Sequence, residues 1–466
     1  MAAHEAGAVH ADAGTRGPAW LRAPADLNPL VAALWPVNVD KSARGVVQVG
    51  GVDVTRLAEE FGTPLYVVDE EDFRARARSF KDAFAPADVY YAGKAFLSLA
   101  TARWVTDEGL RLDVCTGGEL AVALRAGCDP SIIGLHGNNK STAELARAVE
   151  VGVGRVVLDS LVEIERLSEI ASAAGVRQPV LVRVTPGVEA HTHEYIATAH
   201  EDQKFGFSIA EGEALAAMKL VHSHDSLDLI GLHSHIGSQI FDTSGFEVAA
   251  RRVLALYAEG LASGIALGEL DVGGGFGIAY TTQDDPATPH ELAAGLTAIV
   301  EHECRALGIG MPRLSIEPGR AIAGPSTFTL YEVGTVKRVA LDAGASRLYV
   351  AVDGGMSDNI RPALYDADYS CTLASRRSTA PATLGRVVGK HCEAGDIVVR
   401  DEFLPSDITP GDLLAVPATG AYCRSLANTY NHVPRAAVVA VRDGESRLIV
   451  RRETEADLLR LDVEEN

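Results

Sequence analysis

Lys94 closes the run Val89-Tyr90-Tyr91-Ala92-Gly93-Lys94, a short apolar segment that predicts a buried strand carrying one amine to its carboxyl-terminal tip. An amine held there can form an imine with a carbonyl, although a surface lysine closing a strand is the commoner fate of this residue. Its company shifts the balance. Glu317-Pro318-Gly319-Arg320 follows the apolar Leu314-Ser315-Ile316, and Gly273-Gly274-Gly275-Phe276-Gly277 follows Leu270-Asp271-Val272. His233-Ser234-His235-Ile236-Gly237-Ser238 ends a further apolar run.

The glycine run lets backbone amides approach a phosphate with no side chains between them. It is not a dinucleotide fingerprint, because Ile278 stands where the third glycine of G-x-G-x-x-G should fall. Alone it would be a tight turn. His233 and His235, at i and i+2, share a strand face and suit either of two tasks. One is zinc chelation as in barrel hydrolases, a reading that His191 and His193 strengthen. The other is one imidazole stacked on a flat cofactor ring, with Ser238 bonding phosphate. A lysine at the first tip, where such hydrolases carry an H-x-H pair, favours the ring and no metal. Glu317 then completes a set that fits pyridoxal phosphate. Lys94 takes the aldehyde, the glycine loop takes phosphate, and Glu317 keeps the pyridine nitrogen protonated, which makes the ring the electron sink that loss of an α-carboxylate demands. The bland alternative for Glu317 is an ion pair with Arg320.

These residues need one scaffold. Apolar, β-branched runs begin near Val89, Leu112, Ile132, Val156, Val180, Leu229, Leu270 and Leu314, with helical stretches such as 118–126 and Thr142–Val151 between them. The alternation predicts an α/β fold, a (β/α)8 TIM barrel over residues 65–325, close to the usual length of roughly 250 residues. In order, the strand tips offer Lys94, Asp113, His136, Asp159, Arg183, His235, the glycine loop and Glu317. Barrel enzymes build their sites at that face. From about Ser326 the pattern changes to alternating strands, as in Phe328-Thr329-Leu330-Tyr331-Glu332-Val333 and Ala437-Val438-Val439-Ala440-Val441, which predicts an all-β C-terminal domain over 326–466. Residues 45–64, with Val46, Val47 and Val49, are expected to pair with it, and 376–383 to form an exposed loop. Residues 1–44 read as a partly mobile N-terminal tail without signal-peptide character.

Composition bounds the partners. With 466 residues, 47% hydrophobic content and 45 glycines, the chain can bury a large core in two domains. Its net charge of −21 excludes nucleic acid and anionic membrane as natural partners. No stretch is long and apolar enough to span a bilayer. Cys115, Cys128, Cys304, Cys371, Cys392 and Cys423 lack C-x-x-C spacing and are sparse for a disulfide scaffold, so a cytoplasmic location is expected.

Taken in order, further motifs join those above: Asp113-Val114-Cys115-Thr116-Gly117-Gly118-Glu119, His136-Gly137-Asn138-Asn139-Lys140, Lys204-Phe205-Gly206, Asn359-Ile360-Arg361-Pro362-Ala363-Leu364-Tyr365, Cys392-Glu393-Ala394-Gly395-Asp396 and Gly420-Ala421-Tyr422. From about 45 to 455 the chain resembles the diaminopimelate decarboxylases, within the fold-type III, alanine racemase-like pyridoxal 5'-phosphate enzymes that also include eukaryotic ornithine decarboxylase. The resemblance implies an imine at Lys94, His235 on the ring face, Glu317 at the ring nitrogen, and Asp113 and Arg183 near the imine and ring hydroxyl. It implies Ser238, Gly273, Gly274, Gly275 and Tyr422 at the cofactor's phosphate, with Gly319 and Arg320 also among the cofactor-binding residues. Cys392 would return a proton after carbon dioxide leaves, and Glu393 would meet the substrate's distal ammonium. A thiol is mostly protonated at neutral pH, which suits that task. The implied assembly is a homodimer whose active site is shared between protomers. Gly93 and Ala394 depart from residues common in the family, and neither removes a functional group.

Arginine geometry bears on the substrate. Arg320 and Arg361, with Tyr365 and Tyr422, supply donors for a distal carboxylate, for which an ornithine or lysine site has no use. Glu317, where fold-type III racemases typically carry arginine, implies decarboxylation of meso-2,6-diaminopimelate at its D-centre to L-lysine. Alternatives are a related decarboxylase of wider range, a zinc hydrolase, and a catalytically dead relative, which would be expected to lose Lys94 or Cys392.

Overall fold

Eight parallel strands close on themselves. They are β1 (Asp88–Ala92), β2 (Arg111–Val114), β3 (Ile133–Leu135), β4 (Arg155–Leu158), β5 (Gln178–Thr185), β6 (Leu227–His233), β7 (Glu269–Asp271) and β8 (Arg313–Ile316). Each pairs with the next and β8 pairs with β1, so the expected barrel is present. The computed structural model describes residues 20–187, 204–340 and 346–463, together with residue 18. Barrel strands are covered on both faces, which is why they read as continuous apolar runs. Several helices between them start at side-chain caps: Ser141 accepts from Glu144 N–H ahead of Thr142–Val151, and Thr288 from Glu291 N–H ahead of Pro289–Leu307.

The barrel interior also holds charge. Arg155 on β4 reaches Glu269 and Asp271 on β7 and donates to Ser315 Oγ on β8 at 3.2 Å. Its guanidinium carbon lies 3.7 Å from the centroid of the Tyr90 ring. Glu269 is also held by Arg313 at 2.6 Å.

The chain divides into a unit of residues 74–278 and 286–322, which holds the barrel, and a unit of residues 1–73, 279–285 and 323–466. The second is β-rich. Its main sheet runs Ile397–Pro405, Ala382–Val388, Ser346–Val352, Thr327–Ala340, Leu65–Asp69, Ala437–Arg442, Glu445–Val450. Leu65–Asp69 therefore corrects the expected barrel boundary at 65: it pairs antiparallel with Thr327–Ala340 and parallel with Ala437–Arg442. Short helices Val54–Phe61, Arg361–Tyr365 and Glu455–Leu459 qualify the all-β expectation. Within 45–64, Val47–Val49 and Val52–Asp53 join Val39–Lys41 in a separate three-stranded sheet, tied to the rest through Val47 N–H and Ala374 O at 2.9 Å. The expected tail is shorter than 44 residues, since Leu34 and Trp35 are buried and Trp35 packs on Phe328 with ring centroids 5.7 Å apart. Ala382 and Thr383, expected in a loop, begin a strand. Among the described residues, no helix is long and apolar enough to cross a membrane.

Candidate active site

At the carboxyl ends of the barrel strands lies a cavity of about 410 Å³ whose walls include Lys94, Asp113, His136, Arg183, His235 and Glu317. Lys94 sits in the turn after β1. That turn is fixed by Gly93 N–H donating to Asp113 O at 3.0 Å and by Ala92 N–H donating to Pro318 O at 3.2 Å. The Glu317-Pro318-Gly319 turn packs so closely on this strand end that a Cβ on Gly319 would stand 2.9 Å from Ala92. A Cβ on Gly93 would stand 2.8 Å from Asp113 O, so a larger residue there requires the strand end to shift.

Glu317 and Asp113 are both buried, and burial raises the pKa of each carboxyl. His136 Nε2 is hydrogen-bonded to Asp113 Oδ1 at 3.1 Å and lies 3.4 Å from Glu317 Oε1. His233 Nε2 lies 3.0 Å from the same Glu317 oxygen, yet neither imidazole is aligned to hydrogen-bond it. Burial pulls the His136 pKa down to about 4 against the opposing pull of Glu317, so the ring is neutral. The zinc alternative paired His233 with His235, and the structure parts them. His233 turns to Glu317, while Gly274 N–H donates to His235 Nδ1 at 3.1 Å. His136, His233 and Glu317 do place one ligand-type atom each within 4.8 Å of the others, but His136 Nε2 is committed to Asp113. His191 and His193 lie outside the described residues.

The glycine loop needs one correction. Gly273 N–H donates to Asp271 Oδ1 at 2.8 Å and Gly274 N–H to His235 Nδ1, so two of the three amides expected at a phosphate are used inside the protein. Their glycines are required by backbone contact. Gly273 has φ +73° with a Cβ position 2.7 Å from Ser234 O, and a Cβ on Gly274 would overlap Glu317 O. The loop thereby joins the tips of β6, β7 and β8. Burial, and after it the Lys94 charge, hold the His235 pKa well below its usual value, so this imidazole is neutral too. Arg320 Nη2 donates to Ser238 Oγ at 2.7 Å.

Arg183 lies over the Phe205 ring at 4.3 Å, which gives the Lys204-Phe205-Gly206 motif a supporting task. Asp159 Oδ1 accepts from Gly206 N–H at 2.9 Å, so this strand tip anchors a loop. Lys140, unassigned from sequence, pairs with Glu163 at 2.6 Å and donates to Gly137 O and Val157 O, fixing the segment that presents His136.

Cys392, Glu393, Arg361, Tyr365 and Tyr422 belong to the other unit. Cys392 is exposed, and its N–H donates to Asn431 Oδ1 at 3.2 Å. His391 beside it contacts the same Asn431 oxygen at 3.2 Å and Ser357 Oγ at 2.8 Å, while Asp396 accepts from His391 N–H at 2.8 Å. The loop is held at its base with the thiol outward. Arg361 is only 6% exposed. Its guanidinium lies 4.6 Å from the Tyr280 ring centroid and Nη1 donates to the Tyr369 hydroxyl, while no carboxylate of the described residues pairs with it. Tyr365 ends the short helix Arg361–Tyr365 and is half-buried. Tyr422 is held at φ +65°, a conformation rare for a side chain of its size.

The groups lining the cavity suit a basic aromatic ring carrying an aldehyde. Glu317 and Asp113 both line the cavity, carboxyl groups suited to a ligand N–H and O–H, and among the described residues Glu317 Oε1 and Asp113 Oδ2 have no aligned donor. An amine at Lys94 opens on the same space.

A family model for the pyridoxal binding domain of pyridoxal-dependent decarboxylases matches residues 70–324. The diaminopimelate decarboxylase of Mycobacterium leprae (strain TN) is 56% identical over 471 residues, covering 99% of this chain and 100% of that one. Its counterpart from Mycobacterium tuberculosis (strain ATCC 25618 / H37Rv) is 58% identical over 444 residues, 94% of this chain and 99% of that one. Among solved structures, the diaminopimelate decarboxylase of M. jannaschii in co-complex with L-lysine matches with a TM-score of 0.85 at 31% identity, covering 92% of this chain and 98% of that one.

Proposed function

We infer that this chain, which belongs to the diaminopimelate decarboxylase family of pyridoxal-dependent decarboxylases, removes carbon dioxide from the D-centre of meso-2,6-diaminopimelate and leaves L-lysine, the last step of lysine biosynthesis. The observation that carries this reading is that Lys94 and the Glu317 carboxyl line one cavity, with Glu317 Oε1 lacking an aligned donor among the described residues. When bound, pyridoxal phosphate supplies a sink for the electron pair that departing carbon dioxide leaves behind. Lys94 would hold its aldehyde, Glu317 its ring nitrogen, Asp113 and Arg183 the ring hydroxyl side, and Ser238, Gly275, Gly319, Arg320 and Tyr422 its phosphate side.

The chain's own residues do the rest. His235, neutral and braced by Gly274 N–H, presents a flat face that fixes ring orientation without adding charge. Lys94, whose amine would hold the cofactor's aldehyde, stands at the reacting centre as a group that could also carry a proton there. Cys392 delivers the proton that replaces the carboxylate, and Glu393 beside it meets the distal ammonium. Arg361, with Tyr365, receives the distal carboxylate, a task its uncompensated buried charge supports. We assign the active assembly as a homodimer in which Cys392 and Glu393 serve the partner's barrel. The outward-facing thiol on a braced loop supports this. All six cysteines are free thiols, which supports a cytoplasmic location.

Purified protein supplied with pyridoxal phosphate is expected to release carbon dioxide and L-lysine in equal amounts from meso-diaminopimelate. Its kcat/KM for ornithine and for lysine should be lower by about a hundredfold or more, because those substrates leave the arginine unpaired. Equal efficiency on a monocarboxylate would overturn the substrate assignment, and no gas release from any of the three would overturn the reaction.

A further inference from the structure

Asp113 and Glu317 project from neighbouring regions of one cavity wall, and a single imidazole stands between them. His136 Nε2 is hydrogen-bonded to Asp113 Oδ1 at 3.1 Å while lying 3.4 Å from Glu317 Oε1. His136 itself is held by a buried device: Lys140, paired with Glu163, donates to the carbonyl of Gly137, the residue next to it. Behind Glu317 the His233 ring meets the His136 ring edge-on at 72°, closing that side. Two buried carboxyl groups without such a divider can share a proton or hydrogen-bond one another, which would turn the Glu317 carboxyl toward Asp113 and away from a ligand.

We propose that His136 is a positioning residue for the cofactor: it ties Asp113 back, and so leaves the Glu317 carboxyl for the pyridine nitrogen of pyridoxal phosphate to meet. The proposal rests on the pyridoxal-phosphate reading above and adds a residue to it. One proton lies between His136 and Asp113, so the replacement that matters is one that can still bridge to a carboxyl group. A glutamine amide both donates and accepts, whereas leucine does neither.

Apoprotein of the wild type, His136→Leu and His136→Gln is titrated with pyridoxal phosphate, following the quench of protein fluorescence and the long-wavelength absorption band of the bound cofactor. His136→Leu is expected to bind at least about tenfold more weakly and to shift absorbance out of that band, the size set by one charge-assisted hydrogen bond. His136→Gln is expected to stay within about threefold of the wild type with its band intact. A merely structural histidine would not tie the spectrum to hydrogen-bonding capacity. Wild-type spectrum and affinity in His136→Leu overturn the proposal. Weak binding by a folded His136→Gln overturns it as well, whether or not the leucine variant folds. A stoichiometric divalent cation in the wild-type holoenzyme, released by His136→Leu, overturns it in favour of a metal centre. A wild type that binds no pyridoxal phosphate overturns both this proposal and the reading beneath it.

Discussion

Arg361 carries the most information of any single side chain about what the substrate must look like. A guanidinium that is 6% exposed normally has a carboxylate beside it, because burying an unpaired charge is costly. Here Tyr280 and Tyr369 contribute two ring faces and one hydroxyl, all formally neutral. Tyrosines fix the plane of the fork without neutralising it, and an incoming carboxylate gains most from a cation in that condition. Arg361→Ala is therefore expected to raise KM for diaminopimelate by roughly a hundredfold, with a smaller effect on kcat, and to leave the apoprotein at least as stable. Steady-state kinetics and a denaturant titration check both halves. An unchanged specificity constant in a destabilised protein would make Arg361 structural. The Asn-Ile-Arg-Pro segment marks the residue as a candidate but says nothing of Tyr280 or Tyr369, which tertiary folding brings to it. His136 shows the same limit: the strand-tip pattern places it at the cavity, but its relation to Glu317 depends on how β3 and β8 face each other.

Strand order was legible because strands buried on both faces must be apolar along their length, and each observed start lies within two residues of the run that announced it. Such runs report burial and not the partner strand. Leu65–Asp69 is as buried as any barrel strand, and only its hydrogen bonds to Thr327–Ala340 and Ala437–Arg442 assign it to the other sheet. Charged residues inside the runs look like interruptions when read locally, yet Arg155, Glu269 and Asp271 satisfy one another across β4 and β7. Asp271 also accepts Gly273 N–H, so this buried pairing supports the glycine loop beneath the site. Arg155→Leu removes the cation and leaves Asp271 with the Gly273 N–H and the Ser315 hydroxyl but no charge partner, while Glu269 keeps Arg313. Unfolding by denaturant is expected to show a loss of about 3–5 kcal/mol, most of it recovered when Asp271→Asn is added. A single variant within about 0.5 kcal/mol of the wild type would mean that the network contributes no net stability.

Across the whole chain, the groups proposed for one reaction are distributed between two units: Lys94, His235 and Glu317 in one, Arg361, Cys392, Glu393 and Tyr422 in the other. The two-part organisation was readable from the change of periodicity near 326. The contribution of the segment around Leu34 and Trp35 to the core was not, because so short an apolar patch has no period to detect. Which copies of the two units cooperate is a question of assembly, and Lys94→Ala with Cys392→Ala can answer it. Each variant alone should lack nearly all activity, one for want of the amine and the other for want of the proton donor. Co-expressed in equal amounts with different tags, they assort at random in the proposed homodimer, and half of the dimers pair one of each. If Cys392 serves the partner's barrel, every mixed dimer has one site with both groups intact and one with neither, so total activity returns to about a quarter of the wild type. If Lys94 and Cys392 of the same protomer work together, each site in a mixed dimer lacks one group and the mixture stays as inactive as its components. Tandem affinity purification of the mixed dimer sharpens the contrast, because its activity should then approach about half of the wild-type value per dimer. Absence of that gain in a verified mixed dimer would confine the reaction to a single protomer.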